Sequence, residues 1–110
     1  MQENVRKELD ALEQMVFNWK ANYLSFATSD GNNEFLLEEF RAEITTYISP
    51  YLRRLYQCEY LTVDEADEFL DYCYNQVEEL RLQIQELENP PGKPGILQKF
   101  IENTRRVLQR

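Results

Sequence analysis

Histidine is absent from all 110 residues, glycine occurs three times and cysteine twice. Without histidine no Ser-His-Asp or Cys-His nucleophile arrangement can form. A zinc site of the usual Cys/His kind cannot be assembled within one chain, and the Glu-x-x-His pairs of a di-iron carboxylate bundle are missing. Cys58 and Cys73 have no CxxC spacing and offer no disulfide framework, so reduced thiols and a cytoplasmic setting are expected. No signal or transit peptide and no apolar run of membrane-spanning length is present, so no membrane insertion is expected. Few glycines and prolines, most of them clustered, favour long helices over a strand-and-turn fold. The one stretch with a lysine after glycine, "PPGKPG", lacks the amides needed to cradle a phosphate, because its prolines delete them. These absences point to a non-enzymatic protein with no cofactor.

What is present is acid. The net charge is −8, which disfavours binding to nucleic acid or an anionic membrane. It is unevenly spread. Residues 93–110 hold five bases against the single acid Glu102, a balance of +4, so the other 92 residues carry −12. A 43% apolar and 29% charged composition is that of an ordinary globular chain, and this length suits one domain.

The first apolar series is Val5, Leu9, Leu12, Val16, Trp19, Tyr23 and Phe26. Its alternating steps of four and three form a helical seam, with Glu8, Asp10, Glu13 and Lys20 off it. A second stripe holds Leu37, Phe40, Ile44, Ile48, Leu52 and Leu55. Ser49-Pro50 interrupts it, either as an N-cap with proline at the first helical position or as a kink in one long helix. The continuing phase favours the kink. The third stretch opens on Thr62-Val-Asp-Glu65, a capping box, and continues through Val63, Ala66, Leu70, Cys73, Val77, Leu80, Ile84 and Leu87. Prolines at 90, 91 and 94 stop it, and a last amphipathic helix is expected from Ile96, with Leu97, Phe100, Ile101, Thr104 and Leu108 on one side.

The predicted fold is therefore all-α: an antiparallel three-helix up-down-up bundle with a shorter fourth C-terminal helix. Three helices of about 35–42 Å pair naturally through short turns, and the last is only about 20 Å long. The chain divides into a bundle core at 1–89, a Pro/Gly linker at 90–95 and a basic helix at 96–110, within one domain.

Three features are candidates for function. Glu59, Asp64, Glu65, Asp67, Glu68 and Asp71 form an acidic run without an intervening base. Asp64, Glu68 and Asp71 share a helical stripe, which reads as a docking patch for a basic partner or as a solvated face. The basic last helix could itself cover it. Tyrosines crowd the middle of the chain, with Tyr47 and Tyr51 one turn apart. They suit a partner or dimer surface, or a core boundary. Asp64, Glu65, Asp67, Glu68, Asp71, Tyr47 and Tyr51 are accordingly the candidate partner-binding residues. Self-association is one form this could take.

The third feature is "TSDGNNEFLLEEF" at residues 28–40. Aspartate, asparagine and a final glutamate alternate at spaced positions, followed by phenylalanine. The stretch resembles a degenerate single EF-hand calcium loop. The resemblance implies oxygen ligands from Asp30, Asn32, the Glu34 carbonyl and Glu39. Threonine replaces the usual aspartate at the first position, and Asn33 replaces the sharp-turn glycine. The alternative reading is an inter-helix turn: Gly31 ends one helix, and an asparagine caps the next, with Glu34 and Glu38 in its first turns. The function expected is thus a protein–protein interaction module, with a weak calcium-responsive helix-loop-helix switch as the alternative.

Overall fold

The computed structural model describes residues 1–90; all but the first residue of the expected linker, and the basic helix expected at 96–110, lie outside the described residues. Within them every regular element is helical and no strand occurs. The elements are α1 (Glu3–Ser25), α2 (Glu34–Glu43), a π-helical turn (Ile44–Ile48), α3 (Ser49–Gln57) and α4 (Val63–Glu88). No described helix is long and apolar enough to cross a membrane.

The heptad positions of α1 and α4 are the core. Val5, Leu9, Leu12 and Val16 of α1 meet Cys73, Val77, Leu80 and Ile84 of α4, together with Leu36, Leu37, Phe40, Ile44, Ile48 and Leu52. Each such side chain, fully buried, contributes about 1.5–3 kcal/mol of transfer free energy. Aromatic pairs fasten α1 to the continuous helical stretch made of α2, the π-turn and α3, the second rod: Trp19 lies 6.3 Å from Tyr47, and Tyr23 lies 5.4 Å from Phe40, between ring centroids.

The ends of the expected seams depart from the pattern. Phe26 is 63% exposed. Helix α1 stops at Ser25, and the Phe26 amide bonds to the Tyr23 and Leu24 carbonyls, which carries the side chain away from the core. Val63 and Leu87, 45% and 39% exposed, occupy the first and last turns of α4. Lys20, read as a solvent-facing residue, is buried instead.

Helical geometry persists through Ser49-Pro50. Ser49 has φ −58° and ψ −47°, and no side-chain cap forms there. Its amide donates to the Ile44 carbonyl five residues back, the bond of a π-turn. Pro50 has no amide to give and its ring crowds the turn before it, so a widened turn ahead of it relieves both problems. The widening also corrects phase. Phe40, Ile44, Ile48 and Leu52 follow one another in steps of four. In a regular α-helix each such step drifts about 40° round the axis, so the last would have rotated away from the first. With the π-turn in place all four are 0–2% exposed.

The capping box at the start of α4 is present as expected. Thr62 Oγ1 accepts from the Glu65 amide, and the Glu65 carboxylate accepts from the Thr62 amide, both at 3.0 Å. This satisfies two amides that the helix itself cannot pair.

Candidate functional site

The acidic run occupies the first turns of α4. Asp64, Asp67, Glu68 and Asp71 are exposed, and Glu65 is half-buried through its capping role. None of the five forms an ion pair among the described residues, whereas Glu78 and Glu79 further along α4 do. Beside them α3 and α4 diverge into a cleft of about 240 Å³, lined by Leu52, Tyr56, Val63, Ala66 and Leu70, with Asp67 and Arg53 at its walls. Because Asp64, Glu68 and Asp71 recur at helical spacing next to the Val63–Asp67–Leu70 stripe, the acids border the apolar cleft along its length.

The two tyrosines named as partner candidates separate. Tyr47 is 61% exposed, and its ring is tilted 57° to that of Trp19. Tyr51 is half-buried, and its hydroxyl donates to Glu8 at 2.5 Å. That bond, with partial burial, raises the Tyr51 pKa. Neither residue lines the acidic cleft, so the acids and this tyrosine pair do not converge on one site. The tyrosine that does line it is Tyr56, with Tyr60 just beyond in the α3–α4 connection.

Residues 28–40 form a closed turn. Gly31 (φ 95°) and Asn32 (φ 63°) take left-handed backbone, which glycine and asparagine accept most readily. The buried Asn33 holds the turn shut: its Oδ1 accepts from the Thr28 amide at 3.0 Å, and its Nδ2 donates to the Thr28 carbonyl at 2.8 Å. The same Nδ2 donates to Glu88 at 2.7 Å, which ties the turn to the far end of α4. Asn33 stands at the N-cap position but makes no cap bond to α2. Its amide is committed to Thr28 and Glu88, so the expected asparagine cap is not formed. Gly31 also lies within the turn, several residues past the end of α1, and does not itself end the helix.

The Asp30 carboxylate accepts from the Thr28 hydroxyl. Asn32 is exposed on its left-handed backbone. The Glu34 carboxylate lies 3.5 Å from Arg81, and Glu39 sits exposed on α2, near Tyr23. No group of three or more His, Cys, Asp or Glu side chains that could hold a metal ion occurs among the described residues.

One polar cluster is not visible in the sequence pattern. The Lys20 ammonium donates to Gln76 Oε1 at 2.7 Å and to Glu79 Oε1 at 2.8 Å, with Lys20 and Gln76 both buried. Its charge also stands 5.2 Å from the Phe17 ring centroid. Lys20 lies four residues after Val16 and Gln76 three residues after Cys73, so spacing alone places each beside the core. Polarity argued the other way. Three further groups are shifted. Burial first, then the bond to Glu43, raises Tyr23 well above the ordinary phenol range. Burial, then Glu13, pushes Tyr72 up to about 12. Burial pushes the Cys73 thiol up to about 12 as well, which leaves it unreactive.

Comparison with protein-family models, with curated proteins and with solved structures finds no significant match to the chain.

Proposed function

We propose that this chain is a non-enzymatic interaction protein. Its architecture on this reading is an antiparallel up-down-up bundle with a shorter fourth helix, and the acidic start of α4 engages a basic protein partner or a second copy of the chain. The observation that carries the reading is the group Asp64, Asp67, Glu68 and Asp71, without an ion pair among the described residues: Asp67 lines an apolar cleft, and the other three lie on the adjoining face of α4 by helical spacing. Charge around an apolar centre is how a protein surface combines steering with burial. The register of contacts supports the topology. Tyr51 bonds Glu8 while Tyr23 bonds Glu43, a pairing of early with late positions that fits an antiparallel arrangement. Asn33 meets Glu88 while Tyr56 and Val63 share the cleft, which fits the same arrangement. The free, unbridged cysteines fit a reducing, cytoplasmic setting.

The test is capture and light scattering of the full chain beside an Asp64→Lys, Asp67→Lys, Asp71→Lys variant. Expected is a specific captured partner, or a dimer, that the variant loses. A monomer that captures nothing, or the same capture by both proteins, overturns the reading.

A further inference from the structure

The cleft between α3 and α4 has an apolar floor that nothing in residues 1–90 covers. Leu52 is buried at its base, while Val63 and Tyr56 at its sides remain 45% and 44% exposed. Asp67 and Arg53 both stand at its wall, and helical spacing puts Asp64, Glu68 and Asp71 on the adjoining face of α4, so acids outnumber the single base there. A fitting occupant is therefore an apolar stripe flanked by positive charge.

The chain carries such a segment itself. Residues 96–110 place Leu97, Phe100, Ile101 and Leu108 at helical spacing and bring Lys99, Arg105, Arg106 and Arg110 beside them, against Glu102 alone. Its reach also matches. Helix α4, with 26 residues, is about 39 Å long. The linker at 90–95 spans about 20 Å when extended, and a helix over 96–109 adds about 21 Å. If the chain turns back after Glu88, the linker runs alongside the second half of α4. The basic stretch then lies alongside its first half, where the acids and the cleft are. Prolines favour an extended path and cannot continue a helix, which suits such a route.

We infer that residues 96–110 of the same chain occupy the α3–α4 cleft, with Phe100 and Ile101 on its apolar floor and the bases on Asp64, Asp67 and Asp71. This goes beyond the partner reading, because it names a resident occupant that any basic partner would have to displace. The experiment below reads occupancy within one chain and is blind to capture, so the two readings fail separately.

Cys58 supplies the probe. It is exposed in the α3–α4 connection, while Cys73 is buried, so a nitroxide attaches at Cys58 alone. In the full-length chain at low salt, amides of residues 104–110 are expected to broaden and those of Gly92 and Lys93 to stay sharp. Phe100→Asp lies outside the helices of residues 1–90. It should abolish the broadening while leaving the amide shifts of α1 and α4 in place. About 1 M salt, where charges are screened within about 3 Å, should reduce it. Absence of broadening at low salt overturns the inference, as does broadening that Phe100→Asp leaves unchanged. So does broadening seen only when spin-labelled chain is mixed with isotope-labelled chain, which would assign the occupant to a second copy.

Discussion

The Lys20 ammonium and the Gln76 amide oxygen lie 2.7 Å apart, both buried, at the contact between α1 and α4. A buried charge with one partner removed is costly, whereas replacing both by apolar groups is often close to neutral. Gln76→Leu alone should therefore destabilise the fold by about 2–3 kcal/mol, the half-exposed Glu79 keeping part of the charge paired. Lys20→Met with Gln76→Leu should recover most of that loss. Urea denaturation of the two variants measures the difference. Equal losses for both would show that Lys20 is not held by Gln76.

The same contact shows where sequence reading stops. Val5, Leu9, Leu12 and Val16, like Cys73, Val77, Leu80 and Ile84, announce themselves by spacing, because burial at helical period leaves a pattern along the chain. Lys20 and Gln76 are buried only because they find each other across 56 positions, and no local pattern encodes that. Asn33 fails for a related reason. Its place before α2 is visible, but whether its amide caps the helix or clasps Thr28 depends on how the turn closes. The acidic run was legible as a patch, but the apolar cleft beside it required α3 and α4 to be placed together. Phe26 was misread because the seam rhythm continues one step past the end of the helix.

Asn33 bridges Thr28 and Glu88, and its loss removes the side-chain partners of the Thr28 amide and carbonyl and of the Glu88 carboxylate. Asn33→Ala should cost about 2 kcal/mol. It should also speed hydrogen exchange at the Thr28 amide far more than at Phe40. Uniform acceleration would mean global unfolding and not a local clasp.

Calcium gives a separate test of the turn. The Asp30 carboxylate is bonded to the Thr28 hydroxyl, which competes with any ligand role. Amides of residues 28–40 should not shift at millimolar calcium, the range of the weakest such loops. A saturable shift at Asn32 and Glu39 would restore the calcium-loop reading.

Thr62→Ala removes the acceptor that holds the Glu65 amide. A lost N-cap of this kind costs about 1 kcal/mol. The variant should lower the urea midpoint without changing the slope of the transition. Fraying should be confined to the first turn of α4, read from amide exchange at Glu65 and Ala66.

Alkali should act through three phenols. Tyr23, Tyr51 and Tyr72 all have raised folded-state pKa values, by burial and neighbouring carboxylates. Their protons are held more tightly folded than unfolded, so the stabilisation is full below pH 10, the ordinary phenol value. It is lost as pH climbs from there towards 12 and beyond. Absorbance should show Tyr23, Tyr51 and Tyr72 ionising late, with unfolding accompanying their ionisation. A single titration step at pH 10 would contradict the burial of these rings.

The π-turn at Ile44–Ile48 leaves the second rod one residue richer than a regular α-helix covering the same core. Such a surplus can be removed without shifting what lies on either side. Deleting Thr46, which is exposed, together with Pro50→Ala would let the rod run as plain α-helix and keep Phe40 and Leu52 facing inward. The same deletion within α4 would turn every following core residue through about 100°. The rod therefore contains a point of tolerance to changes in chain length, set beside the most buried residues of the fold.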